Sequence, residues 1–479
     1  SREVPCLFQR PDNTQFWVLP LYSHFRDKTR LGTAFLLKES ESFTPRLADG
    51  CVYIPNTFPS HDEVMEQLGE TSSTNLVGVI AENSHIERIR FELSKTSICK
   101  EGMLVWCKVN GKKIYYQIVS GVTHEEGMEG DQHGYQIAVA SQLGTLDGRG
   151  FHKFDWLPDM NSPVFAQNEE LGDEVELPKN NFRYGTLPNS SMAVSGDFLS
   201  AFNHHTAILG VTGSGKTELA FDLIRHTLEN EVKVICIDLT AQYQGRLADL
   251  GPDDLSIDST TSVELGEKLF NVETGAYGAG EEKKVLRKFS DQLRVDVEKR
   301  LRAFLDTDGT NLGLIQLTEL SNTQASIYVT EIYMSCLLKI SKENFGTGKR
   351  VLVVVEEAHT VMPEAATMGA QDFTSKGLVA RVSQIALQGR KYNLGLMVLA
   401  QRTANVSKTV LTQCNSVICF SCYDDTSISF LKNMFGQAAA ESIPNLKPLQ
   451  AMVFGKIVDS ERPIVVDIPY IESKDLEQK

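Results

Sequence analysis

Gly210-Val211-Thr212-Gly213-Ser214-Gly215-Lys216-Thr217 fits the phosphate-loop pattern G-x-x-x-x-G-K-[ST] at every fixed position, and it restricts the fold more than any other stretch of the 479 residues. Such a loop works between a strand and a helix. Its glycines let backbone N–H groups close on phosphate oxygens, and the following helix presents its positive end to the same charge. Both neighbours are present: Ala207-Ile208-Leu209 is an apolar run leading in, and Glu218 to Ile224 carries apolar residues at helical spacing. The pattern predicts ATP and Mg2+ as cofactors. Gly210, Thr212, Gly213, Ser214, Gly215, Lys216, Thr217 and Glu218 form the expected nucleotide-binding set. Lys216 would reach the β- and γ-phosphates, and Thr217 would hold Mg2+ through its hydroxyl.

A second apolar run, Arg350 to Val355, ends in Glu356-Glu357-Ala358-His359. ATP hydrolysis needs one carboxylate near the metal and another to orient or deprotonate water, and adjacent residues at a strand end can serve both roles. Glu356 is assigned to the metal side and Glu357 to the water. Lys233 to Asp238 and Leu396 to Arg402 read as further buried parallel strands ending in polar residues. Asp238 is therefore either a group facing the nucleotide or a turn aspartate. Gln401 is either a sensor of the γ-phosphate or hydrolytic water, or a plain turn residue. Arg381 and Arg390 lie between the two strands and are candidates for a cation reaching into a neighbouring subunit's site. The alternative for both is a solvated helix-end arginine.

The chain is long enough for two or three domains. Its 42% hydrophobic and 23% charged residues suit a globular protein rather than a disordered one. No apolar run approaches the length of a bilayer span and no basic, apolar leader opens the sequence, so a cytoplasmic protein with no membrane partner is expected. Nine cysteines suit reduced thiols, and the Cys419-x-x-Cys422 pair inside an apolar run reads as core. A net charge of −15 argues against a surface that coats nucleic acid all over, yet leaves room for basic groups confined to a channel.

Residues 1–180 show short runs rich in β-branched and aromatic residues, with Asn110-Gly111 as a hairpin signal. They predict a small N-terminal β-barrel or sandwich, followed between about 150 and 190 by a Pro- and acid-rich linker or arm. Residues 181–479 form the α/β domain, with a helical insertion over about 262–346. Within it Lys283, Lys284, Arg287 and Lys288 alternate with acids, which predicts a solvated helix face rather than a DNA contact. The last residues, Ser473 to Lys479, are polar and expected to be loose.

His205 to Thr217 (HTAILGVTGSGKT), Val353 to His359 (VVVEEAH), Gly389 to Gly395 (GRKYNLG) and Ala400-Gln401-Arg402 (AQR), in this order, resemble the HerA family within the HerA/FtsK group of P-loop translocases. The resemblance implies a RecA-like P-loop NTPase core with a helical insertion, an N-terminal HAS-type barrel, and a homo-hexameric ring driven by ATP along double-stranded DNA. It also implies a separate nuclease or other effector as partner and, in bacterial members, anti-phage defence. Where the family tends to carry Gly-Glu-Tyr, this chain has Thr240-Ala241-Gln242-Tyr243, so only Asp238 and Tyr243 match there. Two functions follow: a DNA motor that feeds a nuclease, or an ATP-binding ring scaffold that assembles and regulates an effector with little translocation. DNA-stimulated turnover separates them.

Overall fold

Asn110 and Gly111 both take positive φ, 48° and 76°, the type I′ geometry that joins Leu104–Val109 to Lys112–Met128. The computed structural model describes residues 5–26, 29–39, 48, 52–54, 56, 63, 75–94, 99–128, 131–148, 150–167, 177–275, 280–318, 320, 323–344, 348–364 and 373–470. From that hairpin a six-stranded antiparallel barrel closes. The order is Asp131–Asp147, Arg88–Leu93, Asn75–Ile80, Pro163–Ala166, Leu104–Val109 and Lys112–Met128, the last pairing back to the first. Closure removes exposed strand edges. Alternate residues Val105, Cys107, Ile114, Tyr116, Ile118, Ala138 and Ala140 supply its core. A four-stranded antiparallel sheet, ordered Thr29–Glu39, Gln15–Arg26, Cys6–Gln9 and Val52–Tyr53, belongs to the same unit.

The expected linker is corrected at two places. Pro163–Ala166 is a barrel strand and Asn181–Thr186 is a strand of the second unit. Proline at the first strand position costs no ladder bond that the sheet needs, so it does not mark a break there. The acid-rich stretch between them, and the polar tail Ser473 to Lys479, lie outside the described residues.

By internal contacts the chain divides into Ser1–Glu174 with Leu187–Met192, and Val175–Thr186 with Ala193–Lys479. The second unit holds an eleven-stranded sheet. Seven strands are parallel, in the order Ser416–Cys419, Thr206–Leu209, Leu394–Ala400, Val351–Val355, Lys233–Asp238, Leu312–Gln316 and Asp253–Asp254. Gln450–Gly455, Ile464–Asp467, Asn181–Thr186 and Ala193–Asp197 extend it antiparallel. Val351–Val355 and Leu394–Ala400 are buried throughout, because helices cover both faces of such a sheet.

Ser259–Thr274, Gly280–Asp306 and Thr323–Glu343 make the expected helical region. In the second of these, Leu286, Leu293, Val297, Leu301 and Phe304 are buried, whereas Lys283, Lys284, Arg287 and Lys288 are exposed. The region is not helical throughout: Leu312–Gln316 enters the sheet beside Lys233–Asp238. Gly313 permits this, since a Cβ there would lie 2.4 Å from Leu255 Cδ1.

His205 precedes the P-loop strand with φ 57° and is buried. Its Nδ1 accepts from Leu396 N–H at 3.0 Å, so Nε2 carries the proton and donates to the Ala386 carbonyl at 2.9 Å. Burial pushes its pKa down to about 4.

Candidate nucleotide site

The parallel strands align their carboxyl ends on one edge, where ligands of such sheets bind. The P-loop leaves this edge from Thr206–Leu209. Gly210 and Gly215 have φ of 142° and 112°, and Cβ atoms there would meet Phe420 Cβ at 2.7 Å and Leu449 Cδ2 at 2.9 Å. Val211 N–H donates to the Ser421 carbonyl at 3.0 Å, which ties the loop to the segment after Ser416–Cys419. Lys216 is buried, and its Nζ donates to the Val211 carbonyl at 2.7 Å, as does the Ser214 hydroxyl at 2.8 Å. Burial lowers the Lys216 pKa, and the nearby charges of Glu356 and Glu357 oppose that shift. Thr217 is half-buried in the first turn of helix Lys216–Glu229. Glu218, in the same turn, has its two carboxylate oxygens held by Arg246.

Glu356 follows Val351–Val355 and is buried. Its Oε2 accepts from the Tyr243 hydroxyl at 2.8 Å. Burial, with Glu357 adding repulsion, raises its pKa to about 7 against the pull of Tyr243 and Lys216. Glu357 is half-buried and takes φ 48°, unusual outside glycine and asparagine. His359 Nδ1 lies 3.2 Å from Glu357 Oε2 but is not aligned for a hydrogen bond.

Strand order explains how Gln401 joins these residues. Leu394–Ala400 is inserted between the P-loop strand and Val351–Val355, and Leu209 pairs with Ala400 while Val355 pairs with Val398. Gln401 therefore emerges level with Gly210 and close to Glu357. Its Oε1 accepts from the Thr212 hydroxyl at 2.6 Å, and its Nε2 donates to Glu357 Oε1. One amide thus bridges the phosphate loop and the second carboxylate.

Asp238 is a turn residue: Oδ1 accepts from Thr240 N–H and hydroxyl at 2.7 and 2.8 Å, and Oδ2 from Tyr243 N–H at 3.0 Å. Arg381 Nε donates to buried Glu331 at 3.0 Å, which Arg294 also holds. Arg390 is exposed in the turn Gly389–Tyr392, which precedes Leu394–Ala400 and so sits at the amino ends of the strands, away from this chain's own P-loop. Cys419 and Cys422 are buried free thiols with sulfurs 3.9 Å apart.

Tyr243 carries no signal of its contact with Glu356 in the sequence, because 113 residues separate them. Only its match to the family pattern singled it out. Glu218–Arg246 was equally hidden.

Sheet order, loop and paired carboxylates define a P-loop ATPase. The family model for the central domain of helicase HerA matches residues 182–326. The chain is 23% identical over 405 residues to a DNA double-strand break repair helicase HerA of Sulfurisphaera tokodaii, covering 71% of this chain and 79% of the relative. The protein of the same name in Sulfolobus acidocaldarius is 22% identical, with 69% and 77% covered. Among solved structures, VirB4 of Thermoanaerobacter pseudethanolicus aligns with TM-score 0.42 and 14% identity, over 64% of this chain and all of that one. These matches support a HerA-family P-loop ATPase, and the chain is an ATP hydrolase. Among the described residues no helix is long and apolar enough to cross a membrane.

Proposed function

We propose that this protein is an ATP-driven translocase of double-stranded DNA that works as a homo-hexameric ring and feeds or activates a separate nuclease or effector, in DNA end processing or anti-phage defence. The observation that carries the ATP chemistry is the bridge from Thr212 through Gln401 to Glu357, beside buried Lys216 and Glu356. The DNA substrate is supported by the relatives, which are DNA repair helicases by name.

In this mechanism Lys216 and the loop N–H groups bind the phosphates. Thr217 and Glu356 would supply oxygen donors for Mg2+. When bound, Mg2+ would neutralise charge developing on the phosphates. Glu357 orients the attacking water and takes its proton, while Gln401 holds that carboxylate in register with the loop. Arg390 acts in trans as first candidate. Arg381, engaged with Glu331, is second.

The test is ATP turnover with and without linear duplex DNA, together with ATP-driven displacement of a triplex-forming oligonucleotide. Duplex should stimulate turnover and the oligonucleotide should be displaced, and Lys216→Ala should abolish both. Turnover indifferent to DNA, without displacement, would refute the motor and favour the scaffold.

A further inference from the structure

Tyr243 is fully buried and anchored at three points. Its N–H donates to Asp238 Oδ2 at 3.0 Å, its ring meets Phe221 of the P-loop helix edge-on at 5.0 Å, and its hydroxyl donates to Glu356 Oε2 at 2.8 Å. Asp238 spends its other oxygen on Thr240, so the turn that aims the tyrosine is itself fastened. Packing alone does not require the hydroxyl, since phenylalanine has the same ring and no polar atom to desolvate. A carboxylate turns easily about its last torsion, which is a broad well. Fixing one oxygen fixes the other, and no other side chain among the described residues bonds Glu356 Oε1.

We propose that Tyr243 is a positioning residue for Glu356: its hydroxyl holds Oε2 and reserves Oε1 for the cation that accompanies the nucleotide. This rests on the assignment of Glu356 as the Mg2+ ligand. Partners that orient a metal-binding carboxylate typically change affinity about ten- to a hundredfold when removed.

The experiment uses the full chain with a non-hydrolysable ATP analogue and Mn2+ as the probe, reading free Mn2+ by electron paramagnetic resonance. Tyr243→Phe should stay folded, weaken Mn2+ binding about ten- to a hundredfold, leave metal-free nucleotide binding close to wild type, and raise the Mg2+ concentration needed for half-maximal turnover. 4-Aminophenylalanine at 243, which restores a donor at the same place, should recover the affinity. Glu356→Gln is measured beside them. If Glu356→Gln weakens Mn2+ binding and Tyr243→Phe does not, the positioning role is wrong while the ligand assignment stands. If neither does, the ligand assignment fails and takes the proposal with it. A Phe variant that does not fold also overturns it, because the hydroxyl would then serve the fold rather than the metal.

Discussion

Acidification should destabilise the ATPase unit through His205, and the size of the effect follows from its hydrogen bonds. The imidazole is buried and neutral, with Nδ1 accepting from Leu396 and Nε2 donating to Ala386, so a second proton would break the first bond and bury a charge. Its pKa is about 4 in the fold against an ordinary 6.5. The unfolded chain takes up the proton first. This stability contribution is therefore complete above pH 6.5 and is lost as pH falls toward 4. The gap corresponds to roughly 3 kcal/mol in all, of which about 2 kcal/mol falls between pH 7 and pH 5. Glu356 runs the other way: its pKa is raised to about 7, so its contribution is present in acid and lost as pH rises through neutrality. Comparison with His205→Asn cancels that term. Urea unfolding followed by circular dichroism at 222 nm reports this unit, since the long helices belong to it. The variant should be less stable than wild type at pH 7, and the difference should shrink by about 2 kcal/mol at pH 5. A difference that does not change with pH, or a His205 resonance titrating near 6.5, would refute this account.

Glu357→Gln should retain ATP while lowering turnover about a hundred- to ten-thousandfold in single-turnover assays. If Glu356→Gln gives the trapped state instead, the two carboxylates exchange roles. Gln401→Ala frees both Thr212 and Glu357, so kcat should fall about tenfold or more with little change in ATP affinity; an unchanged kcat removes Gln401 from the mechanism. Mixed rings of Arg390→Ala and Lys216→Ala subunits should regain turnover that neither parent has, because some interfaces then join an intact loop to an intact arginine. An ATP-analogue complex in which Arg390 stays away from the neighbour's γ-phosphate would rule it out.

The P-loop, the carboxylate pair and Gln401 were legible because each follows an apolar run, and parallel strands bring such endings to one edge. Their connection was not. Thr212, Gln401 and Glu357 meet only because Leu394–Ala400 lies between the other two strands, and strand order is not written in local periodicity. The sequence leaves Asp238 open between two roles, and its bonds to Thr240 and Tyr243 make it a turn residue in the fold. Arg381 looked like Arg390 from its spacing, yet only the fold supplies buried Glu331 beside it. The Leu312–Gln316 strand was masked by its shortness, its glycine and the long helices on either side.

The left-handed backbone of Glu357 has a consequence for anyone who evolves this protein. At φ 48° glutamate is held in a conformation that costs on the order of 1 kcal/mol and that glycine or asparagine adopts more readily. A library selected for heat resistance alone would drift toward those residues at 357, and under the role proposed for Glu357 its survivors would be tougher and inactive. Heat tolerance and turnover pull one codon in opposite directions, so directed evolution of this enzyme has to score both at once.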